Sequence, residues 1–117
     1  MHQDTYDKLR KWNCKGVLCI SGPHGIGKTF TIQAYCAEKN KKCIDLIAER
    51  ERLDVKWDAI PQSKNSIGVI DAPLLTPGDG GIASLKRFLK SSKQPIIIVL
   101  DSSMLKTYSD IVKTYKV

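Results

Sequence analysis

No stretch of this chain approaches the ~20 consecutive apolar residues that a membrane-spanning helix needs. Its longest apolar run, Pro95 to Leu100, is a fraction of that. The opening "MHQDTYDKLRKW" has no apolar segment of the kind that drives secretion. The sequence therefore predicts an intracellular protein, cytoplasmic or nuclear, with no membrane partner and with reduced thiols. Cys14, Cys19, Cys36 and Cys43 contain no Cys-x-x-Cys pair, and His2 and His24 complete no metal-ligand spacing, which argues against a zinc framework. Cys19 and Cys36 fall within apolar patterns, where a thiol behaves as a small hydrophobe. Low-complexity, collagen-like and coiled-coil patterns are all missing. At 117 residues there is room for one core, so 1–117 reads as a single domain. Acidic residues are scarce beside basic ones, 12 against 19, and the net charge of +7 favours an anionic partner such as a nucleotide or nucleic acid.

What is present alternates. "DTYDKLRKWN" (Asp4–Asn13) has helical spacing, with Tyr6 and Leu9 on one side and Lys8, Arg10 and Lys11 on the other. "GVLCIS" (Gly16–Ser21) is the near-continuous apolar run of a strand buried on both faces. Lys28 to Asn40 is helical in period, with Ile32, Tyr35 and Cys36 available for the core, and Lys39, Lys41 and Lys42 crowd its C-terminal end. "CIDLIA" (Cys43–Ala48) reads as a second strand, and Leu53 to Ile60 as a short helix with Trp57 and Ile60 turned inward. "SIGVIDAP" (Ser66–Pro73) gives a third strand that Pro73 stops. Ile82 to Ser92 is an amphipathic helix with Ile82, Leu85, Phe88 and Leu89 on one face and Lys86, Arg87, Lys90 and Lys93 on the opposite one. "QPIIIVLD" (Gln94–Asp101) is a β-branched strand. A last helix around Leu105 to Val112 and the start of a fifth strand complete the pattern. Strand and helix in alternation mean an α/β fold: a mostly parallel sheet of about five strands wrapped in three layers.

Between the first strand and its helix lies "GPHGIGKT", Gly22-Pro23-His24-Gly25-Ile26-Gly27-Lys28-Thr29, which satisfies G-x-x-x-x-G-K-[ST]. Glycines let backbone N–H groups curl around an oxyanion where a Cβ would clash. The helix starting at Lys28 adds the positive end of its dipole. Lys28 has the charge to reach the β- and γ-phosphates and Thr29 a hydroxyl for Mg²⁺, with Phe30 next in the same nucleotide-binding stretch. A carboxylate ending a neighbouring strand would complete the cation site, and Asp71 holds that position. Hydrolysis also needs a group to activate water. Ala72 and Pro73 follow Asp71 where many such ATPases carry a Glu, and Asp79 in the next loop reads as a turn former. Asp101 and Ser102, at the tip of the next strand, are candidates for sensing a γ-phosphate, Ser102 without the charge conflict.

In this order, the pieces resemble the AAA+ P-loop ATPases, and among them the large subunit of the replication factor C clamp loader. "KLRKWNCKGVLCISGPHGIGKTFTIQAYC" is similar to that family's Trp-containing approach to its phosphate loop. "CIDLIAERER" is similar to its second strand, and "DGGIASLKRFLKSSKQPIIIVLDSS" to its Gly-Gly-Ile, helix and "PIICICND" block. The resemblance runs from about Lys8 to the end of the sequence. It implies ATP and Mg²⁺ as ligands, duplex DNA, other AAA+ subunits or a sliding clamp as partners, and a role in DNA replication or repair. It also implies DNA contacts from the helix after Gly81, at Ser84, Arg87 and Lys90 or Lys93. Departures accompany it. Asp71-Ala72-Pro73-Leu74 stands where the family has Asp-Glu-Val-Asp, Asp101 stands for the sensor Asn, and Ser109-Asp110-Ile111 lacks the Arg of the small subunits' Ser-Arg-Cys motif. The family continues into a helical lid beyond the position of Val117, so a core without its lid is expected here. The expectation is an ATP-binding module with weak or partner-dependent hydrolysis. Two other readings fit the loop: a small P-loop kinase acting on a metabolite, against which the absence of Arg after Asp101 counts, and an interaction module that has lost nucleotide binding, against which Lys28 and Thr29 count.

Overall fold

The computed structural model describes residues 3–12, 14–22, 28–54, 57, 60, 65–71, 81–101 and 113. In chain order these form α1 (Gln3–Lys11), β1 (Val17–Gly22), α2 (Lys28–Glu38), β2 (Lys42–Asp45), α3 (Leu46–Leu53), β3 (Ser66–Asp71), α4 (Gly81–Ser91) and β4 (Ile96–Asp101). The strands make one sheet in the order β1-β4-β3-β2, and every neighbouring pair is parallel. The described sheet therefore has four strands rather than about five. The expected helix at Leu105–Val112 and the strand after it fall outside the described residues, Lys113 apart.

Strand alternation divides the core into two layers. Ile96, Ile98 and Leu100 of β4, Cys19 of β1 and Ile70 of β3 pack against Leu46 and Ile47 of α3, Leu85, Phe88 and Leu89 of α4, and Trp57 and Ile60. On the other face Ile97, Val99, Ile20 and Ile67 meet Leu9 of α1 and Ile32, Tyr35 and Cys36 of α2. Right-handed crossovers give the reason. The connection from β1 to β2 runs one way across the sheet, and those from β2 to β3 and β3 to β4 run back, so their helices cover opposite faces. The chain is an α/β protein with helices on both sides of a parallel sheet.

One sequence expectation needs correction. The strand expected over Cys43–Ala48 stops at Asp45, and Leu46–Ala48 begin α3. The Asp45 carboxylate accepts hydrogen bonds from the N–H groups of Ile47 and Ala48 at 3.1 and 3.2 Å, so an N-cap turns the chain at once. Of the helix expected over Leu53–Ile60, residues 55, 56, 58 and 59 lie outside the described ones, Leu53 ends α3, and the Ile60 N–H donates to the Trp57 carbonyl at 3.3 Å. Asp54, in the left-handed region at φ 52°, closes α3 by donating its N–H to Arg50 and Glu51 carbonyls. Trp57 and Ile60 are nevertheless buried as expected. The Trp57 ring lies 5.8 Å from that of Phe88, and the Arg50 guanidinium lies 5.3 Å from it.

Candidate functional site at the carboxyl ends of the strands

Three of the four strands end in aspartate: β2 at Asp45, β3 at Asp71 and β4 at Asp101. The fourth, β1, ends at Gly22. Asp45 is occupied in capping α3. The other two stand beside the approach to the glycine loop. Asp101 is the register partner of Gly22, so the two are about 5 Å apart, one strand spacing. Asp71 pairs with Val99, two positions short of Asp101 and one strand farther from β1.

The face matters as much as the level. Ile67 lies in the layer under α1 and α2, with Val69 packed against it. Asp71 continues the same alternation, so its half-buried carboxylate is on the side of the sheet that α2 covers. α2 starts at Lys28, directly after the loop that leaves β1, so the first turn carrying Lys28 and Thr29 rises from this same end of the sheet. β1 sends α2 to one face, β3 leads to α4 on the other, and β4 lies between them. In open parallel sheets such a divergence opens a crevice beyond the carboxyl ends. Asp71 brings to this end of the sheet a carboxylate, a hard oxygen donor of the kind that Mg²⁺ rather than a soft metal takes.

Of the remaining sequence candidates, Pro23, His24, Gly25, Ile26 and Gly27 lie outside the described residues, as do Ser102, Ala72 and Asp79. Phe30 is 61% exposed on the first turn of α2, the one large exposed apolar side chain among the described residues. Ser84, Arg87 and Lys90 are carried by α4, on the face opposite α2, with Arg87 and Lys90 exposed, and Lys93 is exposed in the turn between α4 and β4. The structure thus gathers Gly22, Lys28, Thr29, Asp71 and Asp101 at one end, while α4 is on a separate surface.

One pairing escaped the sequence. The Cys36 thiol, buried near the end of α2, donates a hydrogen bond to the sulfur of Cys43, exposed on β2. That bond, with burial, pushes the Cys36 thiol up, and accepting it holds the Cys43 thiol below its ordinary value. Helix and strand periodicities describe each element alone, so nothing in the pattern announced this contact.

Comparison with known protein families finds no family model that matches the chain, and none of the curated proteins matches it either.

Proposed function

We propose that this protein binds ATP with Mg²⁺ at the carboxyl end of its sheet, as an AAA+-type P-loop module resembling the large clamp-loader subunit. One observation carries the reading. β1 ends at Gly22 and α2 begins at Lys28, so "PHGIG" has to span from strand to helix while Asp71 comes up on the face that α2 covers. A glycine-rich connection ending at a helix N-terminus offers N–H groups and a favourable dipole to phosphate. Lys28 would neutralise phosphate charge, and Thr29 and Asp71 would hold the cation, which when bound screens the phosphates and polarises the terminal one. Asp101, level with Gly22, or Ser102 after it would sense a γ-phosphate.

With Ala72 following Asp71, this chain supplies no carboxylate at the usual position of the water-activating group, a loss of ~10²–10⁴ in rate. ATP then serves as a binding switch, with hydrolysis waiting on partner subunits. Duplex DNA along Ser84, Arg87 and Lys90 of α4 completes the reading and links it to replication or repair.

The test is a thermal-shift titration with Mg·ATP and Mg·ADP, followed by phosphate release on the same sample. Saturable stabilisation with slow release is the expected result. Stabilisation by neither nucleotide would overturn the reading.

A further inference from the structure

Cys36 and Cys43 meet where the chain turns from α2 back into the sheet. α2 ends at Glu38 and β2 starts at Lys42, with Asn40 between them in the left-handed region at φ 55°. The Lys41 N–H reaches the Cys36 carbonyl at 2.9 Å and the Asn40 N–H reaches Ala37 at 3.1 Å, which closes the helix. The Lys42 N–H then donates to the Asn65 carbonyl at 3.0 Å, and the ladder with β3 begins. Backbone bonds therefore fix the path from one cysteine to the other at both of its ends.

Strand alternation puts both on one side of the sheet. Ile44 packs against the layer of α3 and α4, so Cys43 beside it faces the other way. Cys43 is the register partner of Ile67, and Ile67 lies with Cys36 in the layer under α2. There the Cys36 thiol donates its hydrogen bond to the Cys43 sulfur. Cys36 is buried, whereas Cys43 is exposed on β2, the last strand on that side of the described sheet. One sulfur is open to a reagent and the other is sealed directly behind it. The two remaining thiols are placed differently. Cys19 belongs to the opposite layer, and Cys14 precedes β1, which β4 and β3 separate from β2.

We infer that Cys43 and Cys36 form a reversible oxidation site, at which a small disulfide of the glutathione type converts the two thiols into a disulfide within the chain. The inference is independent of the nucleotide site and of α4's outer face. Cys43, as its thiolate, attacks one sulfur of oxidised glutathione. The S–S bond of the reagent breaks, a Cys43–glutathione mixed disulfide forms, and the first glutathione leaves as a thiolate that takes a proton from solvent. Cys36 then gives its proton to solvent and attacks the Cys43 sulfur, and the second glutathione leaves in the same way. Two protein thiols are oxidised and one reagent disulfide is reduced to two thiols, so no further electron acceptor is needed. Geometry favours the second step. Cys36 approaches Cys43 from the interior, so the leaving glutathione has the solvent side open to it. From hydrogen-bond contact the sulfurs need close only to the ~2 Å of an S–S bond. Where thiols are otherwise kept reduced, a pair of this kind is transient and reversible rather than structural.

The experiment treats the full, folded and reduced chain with oxidised glutathione, quenches with acid at timed intervals, and maps the alkylated peptides by mass spectrometry. A mixed disulfide on Cys43 should appear first and give way to a single link between the Cys36 and Cys43 peptides. The free-thiol titre should fall from four to two, and dithiothreitol should restore it. Cys36→Ala should stop at the Cys43–glutathione adduct. Cys43→Ser should give neither adduct nor link over the same interval. The wild-type time course decides the matter even if the Cys36 variant does not fold. A wild-type chain that stops at the adduct, links Cys14 instead, joins a second chain through Cys43, or does not react overturns the inference. Thermal stabilisation by Mg·ATP is read separately, so either site can fail alone.

Discussion

Asp101 is the register partner of Gly22, which places the last residue of β4 level with the approach to the glycine loop. If the loop holds a phosphate, as proposed, an aspartate ending the adjacent strand adds a like charge at the same end of the sheet. Two like unit charges ~5.5 Å apart repel by roughly 3 kcal/mol at an effective dielectric of about 20. The repulsion is tolerable only if a cation intervenes.

Asp101→Asn should therefore tighten binding of metal-free ATP, by about tenfold for each 1.4 kcal/mol of repulsion removed. With Mg²⁺ the gain should shrink. Calorimetric titration with EDTA and then with Mg²⁺ checks this, and weaker binding in both conditions would mean Asp101 makes a contact with the nucleotide that Asn cannot replace.

Lys28→Ala tests the loop itself. At ATP near 100 times its dissociation constant, ligand binding stabilises a fold by about 2.7 kcal/mol, which for a chain of this size is a rise of roughly 10 °C in Tm. The variant should show little of that rise, with its Tm without nucleotide measured alongside as the control for folding. An undiminished rise would place the nucleotide elsewhere.

Ala72→Glu restores a carboxylate directly after Asp71. Phosphate release should rise by at least tenfold, a fraction of the ~10²–10⁴ a water-activating group supplies, with ATP affinity unchanged. Equal rates in the two chains would mean that hydrolysis is limited by something a partner brings.

Much of this was legible in the sequence because strong local signals agreed with the fold. "QPIIIVLD" and "SIGVID" are β-branched and uncharged until their final Asp, and both form strands that end at that residue. The Leu85, Phe88 and Leu89 face of α4 follows from its spacing. The failures came where a short polar device overrode hydrophobicity. "CIDLIA" is apolar enough to read as one strand, yet Asp45 within it caps a helix, and a four-residue strand leaves periodicity nothing to work with. At the site, the motif and its acid were each visible alone. That Asp71 shares α2's face required the sheet order and the alternation of Ile67 and Val69, which depend on tertiary packing.

The cysteines should separate by chemistry. Cys43 is exposed and its thiol is held below the ordinary range by the Cys36 hydrogen bond, so iodoacetamide should modify it first near pH 8. Burial pushes the Cys19 thiol up to about 12, so it should react only on unfolding. The sign follows for stability: a raised thiol contributes fully below its ordinary value near 9 and loses that contribution as pH climbs toward 12. Peptide mapping after timed alkylation reads the order, and early labelling of Cys19 would contradict its burial.

Gly68 tests how tightly α3 is set against the sheet. A Cβ there would lie 2.6 Å from Cδ1 and 3.0 Å from Cγ of Leu46, and 3.4 Å from the Gln94 amide nitrogen. Leu46 is buried, 1% exposed, so its methyl group has no solvent into which to swing. Gly68→Ala should then cost about 1–3 kcal/mol by overpacking, and Leu46→Ala about 2–5 kcal/mol by leaving a cavity. The two effects share one space, since the added methyl occupies part of what the lost isobutyl group vacates. The double variant should therefore lie above the sum of the single losses by at least ~0.5 kcal/mol, a coupling of the size expected for residues in contact. Urea unfolding of the four chains closes the cycle, and strict additivity would show that α3 packs on β3 more loosely than this geometry requires.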